Sequence, residues 1–354
     1  MDVELGIIEG YYGAPWSWAE REAQARFLAP HGYSFFIYAP KADAFLRRRW
    51  REDYPKAEAD ALAHMAGVCK AAGVAFGVGF SPYEVYKSFD EPAREALGRK
   101  LAFFDAIGVE ILGILFDDMP GDFPDLAATQ GRIIGWMAER SAARRIIACP
   151  TYYTDDPALA RISGPEPPRY LEDLGAALDA RIDLFWTGEE VCSLEYSPGH
   201  LARIAGRMGR KPVLWDNYPV NDGPRMSPFL HLRAFTGRPA AIAGQISAHA
   251  VNPALQPVLT QIPALSLAES YRLGEAYEYG QAFAHAAEAV LGSDLARAVG
   301  RNLNAFQDMG LDRLGDGATR MRQRYAAFDH PGAREIVAWL DGQYRITREM
   351  IEAS

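Results

Sequence analysis

The chain has 354 residues, 49% of them hydrophobic and 23% charged, with a formal net charge of −9; this is ample for a full core and ordinary for a globular protein. The acidic balance argues against nucleic acid or an anionic membrane as the ligand, and no apolar stretch reaches membrane-spanning length. Met1-Asp2-Val3-Glu4 has no basic n-region, so no signal peptide is expected, and Cys69, Cys149 and Cys192, each in an apolar segment, predict free thiols in a reducing, cytoplasmic setting.

A first strand is predicted at Leu5–Ile8, ending in Glu9-Gly10-Tyr11-Tyr12-Gly13. Ser17-Trp18-Ala19-Glu20 has capping-box spacing and opens a helix to Leu28. The second strand, Tyr33–Tyr38, ends at Ala39-Pro40-Lys41, and the polar loop from Asp43 to Pro55 contains Arg47-Arg48-Arg49-Trp50-Arg51. A helix over 57–72 leads to strand three, Val74–Phe80, and then to a helix capped by Asp90 with Pro92 in its first turn. Strand four is the unbroken apolar run Ile111–Phe116, ending on Asp117-Asp118. Further strands are expected at Arg145–Cys149, Asp183–Trp186, Pro212–Leu214 and Ala240–Ile246, with helices between them over 126–140, 170–179 and 201–208.

Alternating strands and helices imply parallel strands with crossover helices, and eight such units in about 250 residues are the pattern of an α/β (β/α)8 TIM barrel. The rival, an open doubly wound sheet, lacks its GxGxxG or GxxxxGK[ST] signature. From about Pro257 the pattern is helical only, over 266–279, 281–291, 294–306, 318–328 and 334–351. The expected division is a catalytic barrel over 1–255 and a C-terminal helical module over 256–354.

A strand buried on both faces has no reason to end on two charges unless its end opens into something polar. Adjacent carboxylates repel, so one of Asp117 and Asp118 is expected to hold its proton near neutral pH, leaving an acid beside a base. A barrel keeps its site at the C-terminal strand ends. These supply Glu9, Gly10, Tyr11, Tyr12, Lys41, Asp43, Asp117, Asp118, Tyr153, Glu189, Glu190, Trp215, Asp216, Asn217, Asn221, Asp222 and Asn252. Carboxylates and amides suit sugar hydroxyls, and an aromatic ring such as Trp215 suits a sugar's apolar face. Asp155-Asp156 reads as a turn before Pro157, and Glu189-Glu190 is the rival acid pair. No histidine pair has HxxxH spacing and no cysteine pair has metal-ligand spacing, so no metal site is expected.

Six segments carry a family resemblance. Ile8–Trp16 resembles the EGFYGRPW segment of the family 84 glycoside hydrolases, the O-GlcNAcase and β-N-acetylglucosaminidase family. Tyr38–Lys41 with Trp50-Arg51-Glu52 resembles YAPK…WRE, Leu115–Asp118 matches LFDD, and Cys149–Tyr153 resembles CPTEY. Trp186-Thr187-Gly188 matches WTG, and Trp215-Asp216-Asn217 with Asn221-Asp222 resembles WDN…ND.

The resemblance implies a retaining exo-β-N-acetylglucosaminidase in which the substrate's 2-acetamido oxygen attacks the anomeric carbon and forms an oxazoline. By family position Asp117 orients the acetamido group and Asp118 is the general acid and base. Tyr153, Trp215 and Asn217 are implied at the acetamido pocket, and Lys41, Asp222, Asn252 and the Gly10 carbonyl at the sugar hydroxyls. No cofactor is implied. The partner is an N-acetylglucosaminylated substrate, glycoprotein or small glycoside, and a homodimer through the helical module is left open. Ala14, Ala42 and Tyr152 depart from the family pattern. The alternatives are a non-catalytic β-GlcNAc-binding barrel and a barrel glycosidase using Glu189 and Glu190.

Overall fold

Eight parallel strands close into a barrel in chain order, the last pairing back onto the first. The structure, a computed structural model, describes residues 3–353. The strands are β1 Leu5–Glu9, β2 Tyr33–Tyr38, β3 Ala75–Phe80, β4 Ile111–Leu115, β5 Arg145–Cys149, β6 Ile182–Trp186, β7 Val213–Asp216 and β8 Ala248–Val251. Helices α1 Trp18–Leu28, α2 Lys56–Ala71, α3 Glu91–Ala106, α4 Leu126–Ala138, α5 Ala160–Ser163, α6 Tyr170–Ala177 and α7 Pro198–Met208 lie in the crossovers. Beyond β8 follow α8 Pro257–Leu273, α9 Tyr279–Leu291, α10 Ser293–Arg301, α11 Gly317–Ala326, α12 Pro331–Leu340 and α13 Arg348–Ala353. No helix among the described residues is long and apolar enough to cross a membrane.

The helix starts follow from local chemistry. Ser17 and Glu20 form the reciprocal capping box of α1, Asp90 accepts from the Ala93 N–H at α3, and Ser197 accepts from the His200 N–H at α7. Each satisfies an orphan donor of the first turn.

Two expectations are corrected. Ala240–Gln245 is a 3₁₀-helix, and the eighth strand lies beyond it at Ala248–Val251. The polar His249 hid that strand: it is fully buried, with Nε2 2.9 Å from Asp216 Oδ2 and Nδ1 2.8 Å from the Tyr271 hydroxyl. A paired polar group is tolerated in a core where an unpaired one is not. The helix expected over 334–351 ends at Leu340, where Gly342 at φ +75° turns the chain back toward the barrel and a short α13 follows.

One hydrophobic cluster fills and surrounds the barrel, and a second, around Leu291, Phe306, Tyr325 and Trp339, is the core of the tail helices. Helix α8 serves both: Ala264 and Leu267 belong to the first cluster, Leu259 and Ile262 to the second. Glu335 of α12 ties them further by accepting from the Val258 and Leu259 N–H groups at 2.8 and 2.9 Å, at the start of α8.

Candidate active site

The C-terminal strand ends surround a cavity of about 460 Å³ whose lining includes Gly10, Lys41, Asp117, Asp118, Tyr153, Trp215, Asn217, Asp222 and Asn252. All nine candidate residues therefore meet in one place. A larger cavity of about 870 Å³ lies by Val3, Leu5 and α8–α9, at the other end of the barrel and away from the two aspartates.

Consecutive residues of an extended chain point to opposite faces. Asp117 and Asp118 nevertheless both reach Lys41. The strand has ended, and Asp118 sits at φ +56°, in the left-handed region that aspartate tolerates better than most residues. The turn breaks the alternation and aims both carboxyl groups into the cavity. Lys41 Nζ donates to Asp117 Oδ2 and lies 3.5 Å from Asp118 Oδ2. The other Asp117 oxygen, Oδ1, is buried and has no hydrogen-bond partner among the described residues. Such an atom costs free energy until a donor arrives.

Asp118 is held from two sides: the Tyr12 hydroxyl donates to Oδ2 at 2.9 Å and the Tyr153 hydroxyl to Oδ1 at 3.4 Å. Burial pushes its carboxyl upward, but the Lys41 charge, the Tyr12 hydroxyl and the nearby Arg47 together leave it below the usual carboxylate value. Asp118 is therefore not the member of the pair that keeps its proton. Lys41 offsets the neighbouring negative charge, so Asp118 is ionised in the open pocket. Burial disfavours the Lys41 charge as well, and Asp117 and Asp118 more than compensate, so the lysine lies above its ordinary value.

Trp215, Asn217 and Asn252 form a braced wall. Asn217 Oδ1 accepts from Trp215 Nε1 at 3.1 Å and from Asn252 Nδ2 at 2.8 Å, while Asn217 Nδ2 donates to the Val191 carbonyl at 2.7 Å. Both lone pairs of that amide oxygen are engaged. Asn252 Oδ1 in turn accepts from the Gly10 N–H at 3.1 Å. Gly10 is required by contact: a Cβ there would lie 2.2 Å from Trp215 Cζ2. Gly10→Ala is expected to displace the indole and lower kcat/KM by about 10², the effect of misplacing a binding group by an ångström, and to lower stability by about 1–3 kcal/mol through overpacking; a shifted tryptophan fluorescence maximum checks the displacement.

Other residues at the strand ends turn away from the cavity. Glu9 forms a buried ion pair with Arg21, and Asp43 accepts from the Tyr38 and Tyr54 hydroxyls, both at 2.9 Å. Asp216 lies between its inward neighbours Trp215 and Asn217, so strand alternation sends it outward to Arg238 and His249. Asn221 braces Gln256 and the Phe229 carbonyl, and Tyr11 donates to Glu9. Glu189 and Glu190 are exposed and outside the cavity lining, which removes the rival acid pair. Of the two adjacent tyrosines after Gly10, Tyr12 is the one that enters the cavity. Its hydroxyl meets Asp118 and its backbone N–H donates to Asp222 Oδ2 at 2.9 Å, a role that its place two residues after Gly10 could have signalled. Ile162, Val191 and Ile351 also line the cavity and carried no polar signal.

The model of the beta-N-acetylglucosaminidase family matches residues 5–307. The chain belongs to that family. Within it, the chain is similar to the Protein O-GlcNAcase of Mus musculus and that of Rattus norvegicus. Each is 27% identical over 277 residues, which is 75% of this chain and 30% of the relative. The chain thus spans under a third of the length of those relatives. It also resembles a solved O-GlcNAc hydrolase of Thermobaculum terrenum, a point mutant, at 28% identity and a TM-score of 0.79, covering 95% of this chain and 80% of that one. This β-N-acetylglucosaminidase family member thus combines the (β/α)8 barrel with an aspartate pair at the end of β4.

Proposed function

We propose that this chain hydrolyses terminal β-linked N-acetylglucosamine with retention, using the substrate's own acetamido oxygen as nucleophile. The single observation that carries the reading is the buried, unpartnered Asp117 Oδ1 beside Asp118. An acetamido N–H is the donor that atom lacks. The usual retaining scheme needs carboxyl groups on opposite faces of the bond, about 5 Å apart, whereas an internal nucleophile permits both acids to come from one strand end.

In the first step the acetamido oxygen bonds to the anomeric carbon as the bond to the leaving oxygen breaks, and Asp118 gives its proton to that oxygen. Asp117 holds the acetamido N–H and balances the charge that develops on the oxazoline. In the second step Asp118, now a carboxylate, takes a proton from water, whose oxygen attacks the anomeric carbon and reopens the ring. Asp118 is ionised in the open pocket, so substrate binding must supply the protonated form. Excluding water and leaving Lys41 to Asp117 both push Asp118 upward. Tyr153 faces the acetamido carbonyl, and Trp215 packs its methyl group, braced by Asn217. Lys41, Asp222, Asn252 and the Gly10 carbonyl hold the ring hydroxyls.

Replacing the acetamido group of an aryl substrate by trifluoroacetamido should slow turnover sharply, because the oxygen becomes a poor nucleophile. An undiminished rate would remove the reading in favour of an enzyme nucleophile. Sugar binding without turnover would favour the non-catalytic barrel.

Asp222 gives the site a pH limb. Burial, with the Asp118 charge adding to it, pushes Asp222 up to about 6, against the pull of the Tyr12 N–H. Its ionised form, the stronger acceptor for sugar hydroxyls, is present above that value and lost as pH falls through it. KM is expected to rise below pH ~6 in the wild type, and Asp222→Asn should raise KM overall and flatten that rise. The same elevation favours the fold at low pH, a contribution lost as pH increases through about 6.

The division into a barrel over 1–255 and a helical module over 256–354 rests on the two hydrophobic clusters, with α8 shared between them. A glycoprotein or small glycoside remains the proposed partner. A homodimer through the module has its support in the exposed Tyr279 and Met309, and the cytoplasmic assignment in three free cysteines.

A further inference from the structure

The floor of the catalytic cavity is buried and polar, and its rim is mainly apolar, with Arg225 as its charged member. Ile162 on α5 is 62% exposed, although it is a large hydrophobic residue, and Ile351 on α13 lines the same cavity with Val191 and Pro224. In a pocket that removes a terminal sugar, the ring fills the floor and everything beyond the scissile oxygen lies at the rim.

Both walls are built into the fold. Residues just after Ile162 are tied down where the Tyr152 hydroxyl donates to the Pro165 carbonyl at 2.9 Å and the Gly121 N–H to the Ser163 carbonyl at 2.7 Å. Tyr152, a departure from the family pattern, thus braces one wall. Ile351 arrives from the far end of the chain. Ile346, 5% exposed, enters the barrel's hydrophobic cluster so close to Gly13 that a Cβ there would meet Ile346 Cδ1 at 2.2 Å. The Ile346 N–H donates to Ser227 Oγ at 3.1 Å. On the other side of Ile351, Arg48 donates to the Glu352 carbonyl at 3.1 Å. The segment is therefore strapped across the mouth at two points.

We propose that this strap is a specificity-determining wall of the leaving-group subsite, where Ile351 and Ile162 select aglycones carrying an apolar chain next to the scissile oxygen. The inference rests on the hydrolase reading above. A second sugar is the poorer occupant. Sugar rings stack on aromatic faces, and Ile162, Val191, Pro224, Arg225 and Ile351 offer none, the aromatic lining being Tyr12, Tyr153 and Trp215 around the aspartates and Gly10.

The test compares two glycosides with one leaving group: the N-acetylglucosaminide of N-acetylserine amide, and the same compound with an octanoyl chain in place of the serine N-acetyl. Wild type should prefer the octanoyl compound by about tenfold in kcat/KM, the effect of burying one or two methylenes. Ile351→Ser should bring that ratio toward one, and Ile351→Leu should retain it. An equal ratio in wild type and Ile351→Ser, with native melting in both, would overturn the proposal. So would a wild-type preference for the matching chitobioside over the octanoyl compound. An aryl N-acetyl-β-glucosaminide separates the two readings. If it is not cleaved, the hydrolase reading fails; if it is cleaved without any chain preference, the subsite fails alone.

Discussion

Asp118→Ala is expected to lower kcat/KM for alkyl N-acetyl-β-glucosaminides by about 10³–10⁴, near the upper end of general acid catalysis. The loss should depend on the leaving group. A poor alkoxide needs the proton from Asp118, whereas an activated phenolate leaves with less help, so the deficit should shrink as the aglycone becomes more acidic. With good leaving groups the second step, which needs Asp118 as base, becomes limiting and an early burst of phenol should appear. Structural damage is not expected, because Asp118 lies outside the strand and its partners Tyr12 and Tyr153 are held elsewhere. Kinetics across a series of substituted aryl glycosides checks this; a loss of the same size for every leaving group would assign the proton to another residue.

Asp117→Asn should cost about 10²–10³ in kcat, or roughly 3–4 kcal/mol of transition-state stabilisation. The side chain keeps its shape and loses the charge that balances the oxazoline. This deficit should be uniform across leaving groups, the reverse of the Asp118 pattern, because Asp117 faces the nucleophile. A second consequence concerns protons. Lys41 is shared by the two carboxylates, through a hydrogen bond to Asp117 and a 3.5 Å approach to Asp118. Without the negative charge on Asp117, repulsion on Asp118 falls and the lysine acts on Asp118 alone. Both effects lower the Asp118 pKa, so the alkaline limb of kcat should move to lower pH. A pH–rate profile of the variant reads that shift, and an unmoved limb would separate Lys41 from the proton balance.

Several features were legible because they rest on local chemistry. The capping box at Ser17, the Asp90 cap and strands such as Tyr33–Tyr38 and Arg145–Cys149 stand where the pattern places them. Strand-end position placed the candidate residues at the mouth of the barrel, and the family resemblance singled out the nine that are among the cavity's lining. Position alone did not decide which way a side chain turns. Glu9, Asp43 and Asp216 are as polar as their inward neighbours, and only the partners Arg21, Tyr54 and Arg238 show that they serve the scaffold. The eighth strand was missed for a related reason. His249 breaks an apolar pattern, and its acceptability depends on Asp216, 33 residues away.

By itself, then, the sequence determined the alternating barrel and the aspartate pair, because hydrophobic periodicity and strand-end chemistry are local. Tertiary structure alone decided three things. Lys41 reaches both carboxylates and favours the charged form of Asp118, the left-handed turn at Asp118 aims both acids inward, and Ile346 anchors a strap that brings Ile351 to the rim. Each depends on contacts between distant segments, whose free energy exists only once the chain has closed on itself.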